Sequence, residues 1–226
     1  MTNFVSADWV QERLGALGFL VIDTRFSMRH LMGHLRSAVN VPPPKLRDGQ
    51  GKLLPVEGLA KLFGEAGLGD EQTPVLYDGY DGRNSAMVAW ILEYLGRYDV
   101  HIMDVVYDEW KAQGREVLYR PVQPEARRFT SRVNPAVRAN LADISGAPDS
   151  KLPGLKLIDT RSREEYNGQT DVDEKPGHIP RAVNLVWQEL VGHDGQLQAS
   201  EEETRKALDR ANIKPNDRVA AYCKIG

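Results

Sequence analysis

Cys223 is the residue of this sequence with the clearest potential for covalent chemistry. It is the only cysteine among 226 residues, and it follows a short apolar run that ends in Tyr222. A cysteine attacks as a thiolate, so a reactive site must stabilise the negative charge on sulfur. A loop that leads from a strand toward a helix start supplies backbone N–H groups, and Lys224 adds a cation. From spacing alone, a small buried side chain of the core is the favoured interpretation of Cys223.

An internal repeat places this cysteine in a larger framework. The segment Leu-Val-Ile-Asp-Thr-Arg at 20–25 recurs as Lys-Leu-Ile-Asp-Thr-Arg at 156–161. The segment Gly-His-Leu-Arg-Ser-Ala-Val-Asn at 33–40 recurs as Gly-His-Ile-Pro-Arg-Ala-Val-Asn at 177–184. The second copy is longer by a polar stretch before Gly177, which we interpret as a surface loop. Such a duplication indicates two similarly folded halves.

A third match gives the first copy an aspartate where the second has its cysteine. Pro-Val-Leu-Tyr-Asp at 74–78 corresponds to Val-Ala-Ala-Tyr-Cys at 219–223, at nearly the same distance from the repeated histidine. Asp78 therefore occupies the position of Cys223. This substitution predicts that only the second copy carries the nucleophile.

Short apolar segments alternate with helical patterns in both copies, which predicts an α/β fold with parallel sheets flanked by helices. In the first copy we expect helices over 6–17, 55–66 and 84–95, and strands over 19–22, 74–77 and 100–103. In the second, Asn134-Pro135 marks a helix start. The Ser-x-x-Glu pattern at 200–203 predicts a helix to about Arg210, followed by a strand over 218–222.

The repeat also predicts the domain organisation. We expect an N-terminal domain over 1–116, a basic, proline-punctuated linker over 117–132 and a C-terminal domain over 133–226. The second copy stops three residues after Cys223, whereas the first continues well beyond Asp78. We therefore expect the C-terminal domain to be incomplete, with a missing C-terminal segment of the same protein.

Composition excludes several classes of function. With 29 Lys and Arg against 32 Asp and Glu, the net charge is −3, so nucleic acid and anionic lipid are not expected partners. The longest uncharged apolar run, residues 85–92, is too short to span a membrane, and the N-terminus lacks an export signal. A single cysteine excludes an intramolecular disulfide and a cysteine-rich metal site. We expect a soluble cytoplasmic protein.

The repeated Asp-Thr-Arg, the Gly-His-Ile-Pro-x-Ala-x-Asn block and the ending Tyr-Cys-Lys-Ile-Gly at 222–226 together resemble the tandem-domain rhodanese family, the thiosulfate sulfurtransferases. The resemblance covers nearly the whole chain. In this family the N-terminal domain is usually inactive and the C-terminal domain carries the cysteine, which matches the difference between Asp78 and Cys223. A similar bacterial group has arginine where this chain has Lys224.

The resemblance implies two rhodanese-like domains that transfer sulfane sulfur. Cys223 is then the nucleophile that attacks the outer sulfur of thiosulfate, releases sulfite and holds a persulfide. Lys224, Ile225 and Gly226 of the reactive loop, together with Arg161, are the implied substrate-binding residues. A thiol or cyanide accepts the sulfur, and no cofactor or metal is required.

Three alternatives stay open at this point. Mercaptopyruvate sulfurtransferases are related, but their loop typically has Gly-Ser after the cysteine rather than a basic residue. Rhodanese-fold phosphatases have a loop one residue longer, and this chain ends before that length can be read. A non-enzymatic, inactive fragment that acts as a binding module is the third. The tandem repeat favours sulfur transfer over a phosphatase, and Lys224 favours thiosulfate over mercaptopyruvate.

Two repeated polar residues have structural interpretations beside functional ones. Arg161 has a twin, Arg25, in the copy without a cysteine, so an ion pair with Asp159 that holds the strand end is favoured. His178 likewise has a twin in His34. The duplication favours a structural hydrogen bond over a general-base role for both histidines.

Overall fold

A computed structural model describes residues 2–120, 122–144, 154–170 and 175–224. The chain divides into two compact units, of which unit 1 comprises residues 1–138 and 195–197 and unit 2 comprises residues 139–194 and 198–226. Each unit contains a parallel sheet flanked by helices. The predicted α/β class is therefore confirmed.

The sheet of unit 1 has five strands in the order β1-β5-β4-β2-β3, and all of its neighbouring strands are parallel. Its strands are β1 (Asn3–Val5), β2 (Phe19–Asp23), β3 (Val39–Asn40), β4 (Thr73–Tyr77) and β5 (His101–Met103). Its helices are α1 (Ala7–Arg13), α2 (Ser27–Leu31), α3 (Val56–Glu65), α4 (Arg83–Tyr94) and α5 (Tyr107–Ala112), with 3-10 turns at Pro43–Leu46 and Pro135–Val137.

The central strands β2 and β4 are continuously apolar because both faces of the sheet are buried. Successive side chains of a strand point to opposite faces of the sheet. Ile22 and Leu76 belong to one buried hydrophobic cluster, whereas Val21 and Val75 belong to a second cluster. Both faces of this sheet are thus covered, which requires apolar residues at consecutive positions.

Unit 2 has a three-stranded parallel sheet in the order β7-β6-β8. Its strands are β6 (Lys156–Asp159), β7 (Val183–Asn184) and β8 (Val219–Tyr222), and its helices are α6 (Leu141–Ile144), α7 (Arg163–Tyr166) and α8 (Glu201–Arg210), with a 3-10 turn at Trp187–Leu190. The predicted capping box is present at the start of α8, where Ser200 and Glu203 bond to each other's backbone N–H.

One helix prediction was too long, and one predicted helix start begins a 3-10 turn rather than an α-helix. The helix predicted over 6–17 ends at Arg13, because Leu14 leaves the helical backbone region and Gly15 adopts a φ of +80°. Asn134 and Pro135 begin only a single 3-10 turn. Within the described ranges α4, with 12 residues, is the longest helix, and none is long and apolar enough to cross a membrane.

The segment 117–132, predicted as a linker, lies against unit 1 over its described residues. Leu118 and His34 exchange two backbone hydrogen bonds of 2.8 Å, and the Arg127 N–H donates to the carbonyl of Gly64 at 2.9 Å. Phe129 is buried in the hydrophobic core of unit 1. This unit consequently extends as far as Arg138.

Candidate active site

A cavity of about 430 Å³ opens in unit 2, where the strands β6 and β8 end. The two strands are parallel and pair Asp159 with Tyr222, so the residues that follow them meet at one edge of the sheet. Ligands of open parallel sheets bind beyond this carboxyl edge. The described residues that line the cavity are Arg161, Lys175, Pro176, Gly177, His178, Ile179, Tyr222, Cys223 and Lys224.

Cys223 is the first residue after β8, and it is one of the residues that line the cavity. It is a free cysteine and is half-buried. A structural cysteine of the core has its sulfur enclosed by apolar neighbours. The position of Cys223 instead favours a thiol that a small molecule in the cavity can reach.

Arg161 holds the end of β6. Its Nε and Nη2 donate to the two carboxylate oxygens of Asp159 at 3.0 and 2.7 Å, and Nη2 also donates to the Gly177 carbonyl at 2.7 Å. Burial by itself would raise the pKa of Asp159, but hydrogen bonds from Arg161 and Tyr222 hold it below the ordinary 3.8. Arg161 therefore has the expected structural ion pair and also contributes to the cavity wall.

The same constellation recurs in unit 1. Arg25 donates through Nε and Nη2 to the carboxylate of Asp23 at 2.9 and 2.6 Å, and to the Gly33 carbonyl at 2.7 Å. Since unit 1 has no cysteine at the corresponding position, the ion pair serves the fold in both units. This outcome agrees with the structural interpretation of the repeated arginine.

Three of the described residues that line the cavity are cationic. Arg161, Lys175 and Lys224 contribute cationic groups, and none of the described lining residues is acidic. Arg161 is paired with Asp159, and Lys175 and Lys224 are the other two cationic residues among the described lining. Sequence reasoning missed Lys175, which lies in the polar insertion of the second copy.

His178 is exposed at the cavity, and its ring is held in a defined orientation. Its Nδ1 lies 2.8 Å from the backbone carbonyl of Tyr166, and the two rings stack with centroids 3.7 Å apart. In unit 1, His34 is buried and has both ring nitrogens near carbonyl oxygens. Both histidines thus have the structural hydrogen bond expected from the sequence, but their surroundings differ.

Asp78 of unit 1 is buried, with its side chain surrounded by N–H donors. Its Oδ1 accepts from the Gly79 N–H at 2.6 Å, and its Oδ2 accepts from the Asn84 N–H at 2.9 Å, at the start of α4. Burial raises the pKa of Asp78 despite these donors. The Asp78 carboxylate therefore occupies backbone N–H donors of this loop in unit 1.

Two of the predicted site residues, Ile225 and Gly226, lie outside the described residues. The other three, Cys223, Lys224 and Arg161, line the same cavity. Across the described ranges, no group of three or more His, Cys, Asp or Glu side chains is placed to hold a metal ion.

Comparison with known proteins assigns the chain to a family. The model of the rhodanese-like domain matches residues 6–113 and again residues 139–226. The chain belongs to the rhodanese family and contains two tandem rhodanese-like domains, as the repeated motifs predicted.

Two similar curated proteins are thiosulfate sulfurtransferase of Corynebacterium glutamicum and a putative thiosulfate sulfurtransferase of Mycobacterium tuberculosis. The first is 30% identical over 99% of this chain and 77% of its own length. The second is 28% identical over 98% of this chain and 83% of its own length.

Solved structures show the same fold. A 3-mercaptopyruvate sulfotransferase of Escherichia coli, SseA, matches with a TM-score of 0.87 and 23% identity over 100% of this chain and 90% of its own. The anaerobic ergothioneine biosynthesis enzyme of Chlorobium limicola matches with a TM-score of 0.85 and 20% identity over 98% of this chain and 60% of its own.

Proposed function

We propose that this protein is a sulfurtransferase that takes the sulfane sulfur of thiosulfate onto Cys223 and passes it to a thiol or to cyanide. The observation that carries the proposal is a half-buried cysteine that lines a cavity together with three cationic residues, in the second of two rhodanese-like domains. The names of relatives at 28 and 30% identity support sulfur transfer as the class of reaction.

The donor step is a displacement at sulfur. The Cys223 thiolate attacks the outer sulfur of thiosulfate and forms a new S–S bond with it. The S–S bond of thiosulfate breaks, and its electron pair leaves with sulfite. The enzyme then holds a persulfide, which divides one difficult transfer into two easier steps.

The cations of the cavity bind the donor and the leaving group. Thiosulfate and sulfite are both dianions, and charged hydrogen bonds to their oxygens are stronger than neutral ones. Lys224 follows Cys223 directly, and Lys175 and Arg161 line the same cavity. We assign substrate binding to these cations, with Ile225 and Gly226 of the reactive loop retained as predicted contributors.

The chemistry is assigned to the C-terminal domain, within the predicted range 133–226. In the N-terminal domain, predicted over 1–116, the Asp78 carboxylate takes the backbone N–H donors that a thiolate or substrate anion needs. A cysteine-poor chain suits a reducing compartment, so we propose that the reaction takes place in the cytoplasm.

Intact-mass spectrometry tests the proposal most directly. We expect thiosulfate to add one sulfur atom to the wild-type chain with release of sulfite, and a thiol or cyanide to remove it. The variant Cys223→Ser should gain nothing. No added sulfur, or equal gain in both proteins, would contradict the persulfide.

Parallel incubation with 3-mercaptopyruvate identifies the donor. We expect faster loading from thiosulfate, because the lysines suit a small dianion. Loading from mercaptopyruvate alone would keep Cys223 as the nucleophile but reject thiosulfate as the donor.

A further inference from the structure

We infer that His178 is the base that activates the acceptor thiol in the second half of the reaction. The inference rests on the proposed sulfur transfer. His178 lines the same cavity as Cys223, and it is an exposed residue. Histidine is the side chain best suited to exchange protons near neutral pH.

The hydrogen bond of His178 determines which ring nitrogen is able to accept a proton. Nδ1 lies 2.8 Å from the carbonyl oxygen of Tyr166. A carbonyl oxygen only accepts hydrogen bonds, so Nδ1 must carry the hydrogen. In the neutral ring the lone pair then lies on Nε2. Within the described part of the chain, Nε2 has no protein hydrogen-bond partner, so it is available to a ligand.

The ring of His178 is fixed more firmly than an exposed side chain needs to be. It stacks on the ring of Tyr166 at 3.7 Å, with an angle of 9° between the planes. The hydroxyl of Tyr166 in turn donates to the carbonyl of Ala182 at 2.8 Å. This support keeps the imidazole from rotating freely, as a base with a defined target requires.

The backbone on both sides of His178 is bonded to residues of the strand ends. The carbonyl of Gly177 accepts a hydrogen bond from Arg161, and the N–H of Ile179 donates to the hydroxyl of Tyr222, which directly precedes Cys223. The turn that carries the base and the strand that carries the nucleophile are therefore joined across the cavity edge.

Unit 1 provides an internal comparison. Its histidine, His34, is buried, with Nδ1 2.9 Å from the carbonyl of Leu35 and Nε2 3.0 Å from the carbonyl of Arg120. Neither nitrogen faces a ligand. The accessible nitrogen is thus present in the unit that carries the cysteine and absent from the unit that carries Asp78 in its place.

The proposed step balances without an external oxidant or reductant. Nε2 removes the proton of the acceptor thiol, and the resulting thiolate attacks the outer sulfur of the Cys223 persulfide. A new S–S bond forms, the old one breaks, and its electron pair returns to Cys223 as a thiolate. The acceptor becomes a persulfide, and the proton on His178 passes to solvent.

A comparison of two sulfur acceptors distinguishes a base role of His178 from a purely structural role. A thiol must lose a proton before it attacks, whereas sulfite near pH 8 attacks through a lone pair and regenerates thiosulfate. We propose single-turnover transfer from the preloaded persulfide to dithiothreitol and to sulfite. The variant His178→Asn keeps an amide near the position of Nδ1 and lacks Nε2. The matched control is His193→Asn, an exposed histidine of the same unit that does not line the cavity.

We expect His178→Asn to load sulfur from thiosulfate and return it to sulfite within about 2-fold of wild type. Transfer to dithiothreitol should fall by about 100-fold at pH 7, within the usual range for a lost general base. This deficit should shrink as pH rises, because the thiol then ionises without help. His193→Asn should match wild type throughout.

Other outcomes overturn specific claims. Equal transfer to dithiothreitol in wild type and His178→Asn would reject the base, as would an equal loss with both acceptors or a deficit that does not change with pH. Failure of the wild-type chain to load sulfur would instead reject the proposed function itself. If His178→Asn does not fold, His178→Gln is measured in the same way.

Discussion

The hydroxyl of Tyr222 accepts the backbone N–H of Ile179 at 3.1 Å. This bond joins β8, which directly precedes Cys223, to the turn that carries His178. Unit 1 contains the corresponding bond, in which the N–H of Leu35 donates to the hydroxyl of Tyr77 at 3.3 Å. The repeat thus supplies a matched pair of variants, one in the unit that carries Cys223 and one in the unit that carries Asp78 in its place.

Tyr222→Phe should lower the free energy of unfolding by about 2 kcal/mol, because the Ile179 N–H and the Asp159 carboxylate each lose a hydrogen-bond partner. It should also slow sulfur transfer several-fold, since the cavity edge loses a tether. Tyr77→Phe should reduce stability and leave transfer unchanged. Denaturant unfolding and steady-state thiosulfate assays provide the measurements. Equal effects of the two variants on transfer would show that the tether has no functional role.

Lys224→Gln should reduce kcat/KM for thiosulfate by about 10-fold, which corresponds to about 1.4 kcal/mol. The physical reason is the loss of a cation that lines the cavity beside the thiol. Lys224→Arg should retain most of the activity, and raising the ionic strength should narrow the difference between wild type and Lys224→Gln. An unchanged kcat/KM in Lys224→Gln would remove this residue from the binding site.

Asp78→Cys in a Cys223→Ser background should not create a second reactive site. The side chain at position 78 is only 1% exposed, whereas Cys223 is half-buried at a cavity. A buried thiol without an approach route reacts slowly. Intact mass after thiosulfate treatment should show no added sulfur, and labelling by a thiol reagent should be slower than at Cys223 in the wild type. Rapid addition of sulfur to the cysteine at position 78 would contradict the prediction that this buried position is closed to thiosulfate.

Asp159 should make the stability of unit 2 sensitive to acid. Burial opposes ionisation, but hydrogen bonds from Arg161 and Tyr222 keep the folded-state pKa below the ordinary 3.8. The stabilising contribution is therefore present above about pH 3.8 and is lost as pH falls through the lower folded-state value. Asp159→Asn should be less stable at pH 7 and should flatten this acid dependence.

Hydrogen exchange resolved by peptide measures the two units separately. In Asp159→Asn, unit 1 should keep its own acid dependence, because hydrogen bonds from His30 and Arg25 lower the pKa of Asp23 despite its burial. An unchanged acid dependence of unit 2 would exclude Asp159 as its source.

The amino-acid sequence by itself determined the duplication, the α/β class and the position of the lone thiol at a strand end. These features are local: apolar runs such as 19–22 and 74–77 specify buried strands, and a repeated motif specifies a repeated fold. The loss of the nucleophile from the first copy was likewise visible, because Asp78 stands in register with Cys223.

Only the tertiary structure decided which of the repeated residues are available to a ligand. His34 and His178 share a motif, yet the carbonyls of Leu35 and Arg120 engage both nitrogens of the first, whereas Tyr166 engages one nitrogen of the second. Lys175, a residue of the polar insertion, lines the cavity. The hydrophobic periodicity of the sequence does not predict where a residue of such an insertion lies. Accessibility depends on what packs over a side chain, and Arg120, which engages the second nitrogen of His34, is 86 residues away in sequence.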